Sequence, residues 1–248
     1  MAARKRADQL AFEQGLAESR ERAKRLIMAG RVFLLGDGRR ERVDKPGQQL
    51  PPDAVLEIEA PCPYVSRGAE KLLTAIEAFH LDVTGLVCLD AGASTGGFTD
   101  CLLQHGAARV YAVDVGRDQL HEKLLADERV VSMEGINLRL APPDLLPGPV
   151  DLIAADLSFI SLTRVLPALL PMLRPEGRMV VLIKPQFELE RSEVGKGVVR
   201  DEALRQKAVD KVLAFARDEL GLTSEGVVPS SITGPKGNQE FVCLLRRT

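Results

Sequence analysis

Short apolar runs that end on a polar residue recur along most of this chain of 248 residues. Residues 86–90, 109–114, 130–134, 150–156 and 179–184 each have this form, and each reads as a strand buried on both faces. Segments of helical period separate them. Residues 67–79 place Ala69, Leu72, Leu73, Ile76 and Phe79 on one side, and a long helix over 202–219 is stopped by Gly221. Strand and helix in alternation predict an α/β domain with a parallel sheet covered on both faces. Residues 223–228 and 239–245 read as a closing hairpin. Asp90, Asp114, Asp156 and Lys184 all fall at strand ends. In such sheets ligands bind outside the carboxyl ends of the strands.

The first sixty residues follow another pattern. A short helix over 8–15 carries Leu10 and Ala11. Ser19 is placed to cap a second helix whose stripe is Ala23, Leu26 and Ile27, and Gly30 ends it. A strand over 32–35, a turn over 36–38 and a later strand with Val55, Glu57 and Ile58 complete a small α+β region. Pro61 and Pro63 interrupt regular structure. The expected division is a domain over 1–60, a linker over 61–64 and a larger domain over 65–248.

Charge sharpens this division. Lysine and arginine number 33 against 35 acids, so the whole chain is not a basic nucleic-acid binder. Residues 4–45 nevertheless hold many arginines, among them Arg6, Arg20, Arg25 and Arg31, which suggests a face for RNA or DNA. Arg20 and Lys24 lie one helical turn apart, away from the apolar stripe. The four cysteines form no C-x-x-C pair, which fits reduced thiols in a cytoplasm and gives no metal site. No signal peptide or membrane span is visible.

The candidate chemistry centres on the loop after the first strand of the larger domain. Asp90, Gly92, Ser94, Thr95, Gly96, Gly97 and Phe98 form a small-residue turn into a helix over 99–105. The glycine spacing is not that of a dinucleotide site, so a ligand without phosphate is expected. Asp114, about twenty residues on, is placed to accept ribose hydroxyls. Asn137 offers a donor and an acceptor for an adenine edge. Together these suit S-adenosylmethionine.

Two resemblances add to this reading. Arg6-Ala7-Asp8, Ser19-Arg20, Leu26-Ile27 with Gly30, and Lys45-Pro46-Gly47 resemble the S-four-type RNA-binding domain. The larger domain is similar to the TlyA family. The matching stretches are Tyr64-Val65-Ser66-Arg67-Gly68 with Lys71, Asp90 to Thr99, Asp156-Leu157-Ser158-Phe159, Lys184-Pro185-Gln186-Phe187-Glu188, and Gly234-Pro235 with Gly237, Asn238 and Glu240. That family joins an S-four-type domain to an FtsJ-like methyltransferase with a Rossmann-like sheet and is often called hemolysin A. The resemblance implies 2′-O-methylation of ribosomal RNA by a tetrad of Lys71, Asp156, Lys184 and Glu240, with Lys184 as general base. It implies that Val115, Asp156 and Leu157 join the cofactor contacts. RNA contacts are expected from Arg6, Arg20, Lys24, Arg31 and Arg67, with ribosomal subunits as partners. The alternatives are an RNA-binding protein with a non-catalytic cofactor domain and a membrane-active hemolysin.

Overall fold

The structure, a computed structural model, describes residues 4–36, 39–59, 62–195, 197–234 and 236–247. The expected turn residues Asp37 and Gly38, the linker residues Ala60 and Pro61, and the motif residue Pro235 lie outside them. The chain divides into two compact units, 1–63 and 64–248.

In the first unit β1 (Lys5–Arg6) leads directly into α1 (Ala7–Glu13), and α2 (Arg20–Met28) follows. The Ser19 hydroxyl accepts the Arg22 N–H at 3.1 Å and so caps α2. Strands β2 (Val32–Gly36), β3 (Arg39–Arg42), β4 (Gln49–Leu50) and β5 (Val55–Ile58) come next. They form a three-stranded antiparallel sheet in the order β3-β2-β5, and β1 pairs with β4. Leu10, Ala11, Ala23, Leu26, Ile27, Val32 and Leu56 make the core between helices and sheet. Two helices and short antiparallel strands make up this unit.

The second unit opens with α3 (Ala69–Ala78). There follow β6 (Val87–Ala91), α4 (Gly97–Gln104), β7 (Arg109–Asp114), α5 (Glu122–Leu125), β8 (Val130–Glu134) and β9 (Val150–Ala155). The chain continues through α6 (Leu166–Leu169), β10 (Leu173–Ile183), α7 (Pro185–Glu188), α8 (Arg191–Val194), α9 (Glu202–Leu220), β11 (Leu222–Pro229) and β12 (Phe241–Arg247). Seven of these strands form one sheet in the order β11-β12-β10-β9-β6-β7-β8. The pairings from β8 to β10 are parallel, and β12 runs antiparallel to both its neighbours.

Alternate residues of the central strands enter two different cores. Leu89, Val113, Ile153 and Val181 enter one core, which also holds Val209, Val212 and Ala216 of α9. Cys88, Val110, Leu152 and Val180 face Leu72 and Ala75 of α3 and Leu102 of α4. Burial on both faces explains why these strands are near-continuous apolar runs. The strand order reverses between β6 and β9, since the chain leaves β6 toward β7 and returns on the other side. A crevice outside the carboxyl ends of β6 and β9 is the geometric result. The fold is a Rossmann-like α/β sheet.

Candidate active site

Four titratable side chains meet at that crevice. Lys71 comes from the first turn of α3, Asp156 from the end of β9, Lys184 from the end of β10, and Glu240 from just before β12. Lys184 Nζ lies 2.5 Å from Asp156 Oδ1. Lys71 Nζ donates to Asp156 Oδ2 at 3.1 Å and to Glu240 Oε2 at 2.8 Å. The result is a chain of alternating charge, Lys184–Asp156–Lys71–Glu240. The side chain of Lys184 is 6% exposed and that of Glu240 is 1% exposed, so water screens these contacts weakly.

Their contacts distinguish the two lysines. Burial alone would lower the pKa of Lys71, but the Asp156 and Glu240 carboxylates outweigh it and hold the pKa above the usual lysine value. Burial alone would raise the pKa of Asp156, but Lys184 and Lys71 outweigh it and hold the carboxyl below its ordinary range. Lys71 therefore touches two carboxylates, whereas Lys184 touches one carboxylate and the Ser158 hydroxyl, to which it donates at 3.0 Å.

Two cavities adjoin this chain. One, of about 470 Å³, is lined by Gly92, Ser94, Asp114, Val115, Asn137, Asp156 and Leu157, together with Ile136, Phe159 and Val165. The other, of about 250 Å³, is lined by Lys71, Lys184, Asp156, Ser158, Thr95, Gly97 and Phe98. Gly92, Ser94, Asp156 and Ser158 border both cavities, so Asp156 stands where they meet, with Lys71 and Lys184 lining the smaller one. Gly92 has φ +90°, and a Cβ there would come 3.0 Å from the Asp156 carbonyl oxygen. Only glycine leaves the seam between β6 and β9 open at that point.

The larger cavity fits S-adenosylmethionine in size and chemistry. Asp114 Oδ2 accepts the Ser94 N–H at 2.8 Å and Oδ1 accepts the Gly116 N–H at 2.6 Å. A carboxylate has about four acceptor positions, so two remain for ribose hydroxyls. Ile136, Leu138, Leu157 and Ile160 provide apolar walls suited to a purine.

Other site candidates hold partners that their positions along the chain do not reveal. Asp90 is fully buried and borders neither cavity. Its Oδ2 accepts both the N–H and the hydroxyl of Thr99, at 2.9 and 2.6 Å, which ties β6 to α4. Burial pushes its pKa up to about 7, against the pull of the Thr99 hydrogen bonds. Gly96, with φ +94°, packs on Leu120 and Leu124 and borders neither cavity. The Asn137 carbonyl oxygen caps the following turn by accepting the Arg139 N–H at 3.1 Å. Its amide nitrogen is the group left for a ligand. The Arg31 guanidinium donates twice to the Glu59 carbonyl, at 3.1 and 2.7 Å, so it ties its strand down instead of standing free for RNA. Arg6 and Arg20 flank the Asp8 carboxylate, at 2.9 and 3.3 Å, while Arg67 borders a groove beside Lys71.

Sequence reasoning assigned no role to Ser158, Gln186 or Phe159. Gln186 Nε2 donates to Glu240 Oε1 at 3.2 Å and so fixes the far end of the charge chain. Phe159 is 91% exposed, has φ +64°, and lies 5.2 Å from the Phe187 ring. All three sit inside the quoted motifs, and the signal available was their spacing of two or three residues from Asp156 and Lys184.

The family model for FtsJ-like methyltransferases matches residues 64–247. The chain is 47% identical over 251 residues to the 16S/23S rRNA (cytidine-2′-O)-methyltransferase TlyA of Mycobacterium tuberculosis, covering 99% of this chain and 91% of that one. It is 40% identical over 239 residues to hemolysin A of Brachyspira hyodysenteriae, covering 96% and 98%. A solved hemolysin-named protein from Streptococcus thermophilus superposes with a TM-score of 0.76 at 46% identity, covering 100% of this chain and 90% of that one. No helix among the described residues is long and apolar enough to cross a membrane. From its sheet, its charge chain and these matches together, the chain belongs to the FtsJ-like methyltransferases, in their TlyA branch.

Proposed function

We propose that this protein transfers a methyl group from S-adenosylmethionine to a ribose 2′-hydroxyl of ribosomal RNA. One observation carries the reading: Asp156, the centre of the Lys184–Asp156–Lys71–Glu240 chain, borders both a nucleoside-sized cavity and a smaller one that the two lysines line. The names of the relatives support the substrate class.

When bound, S-adenosylmethionine would supply a methyl group on a sulfonium, whose S–CH3 bond breaks to leave a neutral thioether as the leaving group. Asp114, the Asn137 amide, Gly92, Val115 and Leu157 would hold it. A ribose hydroxyl is a weak nucleophile until its proton is drawn away. Lys184 Nζ is assigned that proton, in a state where the amine is uncharged. The hydroxyl oxygen bonds to the methyl carbon as the O–H bond breaks toward the amine. Lys71 is the poorer proton acceptor because two carboxylates hold its own proton. It remains a cation beside Asp156, and Glu240 balances it. Much of the acceleration comes from holding the two reactants in line.

The first unit is assigned to RNA docking as an S-four-like domain. Arg6, Arg20 and Lys24 are its contacts, with Arg67 serving from the second unit. The exposed Phe159 ring offers a face on which an unpaired base can stack. An rRNA substrate supports a cytoplasmic site of action.

The test is tritium transfer from labelled S-adenosylmethionine to ribosomal subunits and free rRNA, followed by mapping of 2′-O-methyl marks. Transfer that Lys184→Ala abolishes supports the reading. No transfer to any rRNA, or equal transfer by the variant, overturns it.

A further inference from the structure

Glu188 is a buried carboxylate that the proton transfer does not use. It ends α7, four residues after Lys184, and is 3% exposed. Burial raises its pKa, against the pull of the Ser161 hydroxyl, the Leu162 N–H and Lys211. Its Oε2 accepts from Ser161 Oγ at 2.5 Å and its Oε1 accepts the Leu162 N–H at 2.8 Å. From α9, Lys211 Nζ donates to the Glu188 carbonyl at 2.5 Å and lies 3.9 Å from Oε2. A buried charge is costly, and an apolar side chain would fill the same space more favourably. The carboxylate therefore needs an explanation beyond packing.

Its position offers one. The segments that follow β9 and β10 are fastened together twice. Lys184 holds Asp156 and Ser158, and Glu188 holds Ser161 and Leu162. The turn between the two fastenings contains Phe159, whose φ of +64° is unfavourable for an aromatic residue and persists only where its surroundings fix it. Leu157 and Ile160 before the pinned pair, and Val165 after it, all line the larger cavity.

We propose that Glu188 is a positioning residue for methyl transfer: by holding Ser161 and Leu162 it sets one wall of the donor cavity against the Lys184 amine. The proposal rests on reading that cavity as the S-adenosylmethionine site. A wall fixed in advance has little freedom left to lose when the donor binds. Slack in it weakens donor binding and misaligns the reacting atoms.

The experiment measures donor affinity by calorimetry on the full chain, with kcat and KM on rRNA. It uses Glu188→Gln, Glu188→Ala and Ser161→Ala. Glu188→Gln keeps an acceptor for Leu162 and a polar partner for Ser161, so its donor Kd stays within about threefold of the parent. Glu188→Ala raises the donor Kd and KM on the order of tenfold and lowers kcat, with KM for RNA unchanged. Ser161→Ala moves the same constants in the same direction by less, and it carries the test if Glu188→Ala does not fold. A lowered Tm with unchanged donor Kd, KM and kcat overturns the proposal, as does Glu188→Gln failing as badly as Glu188→Ala. If the parent binds the donor but methylates no rRNA, the proposed activity fails while the donor Kd values still judge Glu188. If the parent binds no donor, both fail together.

Discussion

Lys184 and Lys71 share the Asp156 carboxylate, yet only Lys71 also touches Glu240. In the proposed mechanism that one extra contact divides the labour between two chemically identical side chains. Lys184→Ala should lower kcat by roughly 10²- to 10⁴-fold, the usual worth of a positioned base, while leaving the donor Kd near the parent value. Single-turnover rates and calorimetry on the same preparation check both halves. Asp90 makes a different prediction. Its folded pKa of about 7 lies above the 3.8 of an ordinary Asp, so the folded state holds a proton that the unfolded state gives up. The associated stability is fully present below about pH 4 and is lost as pH rises to about 7. Asp90→Asn should flatten the stability curve across that window by up to a few kcal/mol, measured by denaturant unfolding at several pH values. Position along a strand announces such a carboxylate but not its partner. Asp90 and Asp114 both stand at strand ends, yet Asp90 locks onto Thr99 and Asp114 faces the cavity. The difference is one of depth: Asp90 lies in register with Ala112, two residues short of Asp114, so on the same face Asp90 sits inside the sheet and Asp114 at its rim, a register that strand periodicity does not tell.

Among elements, those with a clear period were the legible ones. The strands that became β6 to β9 differ from their expected bounds by no more than a residue, and α9 by a similar margin. The exceptions have physical reasons. β10 begins at Leu173 instead of 179 because Arg174-Pro175-Glu176-Gly177 resembles a turn, and the ladder indeed shifts register between Leu173 and Arg178. β3 is exposed at all four positions, so it lacks the apolar alternation that marks a strand. α4 begins at Gly97, where a Cβ would lie 2.9 Å from the Ala69 N and press on the Ser66 hydroxyl. Gly97→Ala should therefore push α3 and α4 apart, weaken donor binding several-fold and lower Tm. Calorimetry and thermal melts on one preparation read both effects.

At the scale of the whole molecule, the first unit is the proposed RNA-docking part and the second holds the charge chain. Arg20→Glu with Lys24→Glu should weaken rRNA binding and flatten its decline between about 50 and 200 mM salt, leaving the donor Kd unchanged. Filter binding at several salt concentrations measures this. The order of the strands could not be read from the chain. Nothing local to residues 241–247 says that they enter between β10 and β11 instead of lying beside them. That placement has a consequence of its own. Because β12 fills an interior slot, a molecule with that slot vacant lacks both the continuity of its sheet and the acid that balances Lys71. Under the proposed mechanism, completion of the architecture and onset of chemistry then coincide, so partly assembled molecules are expected to leave rRNA unmodified.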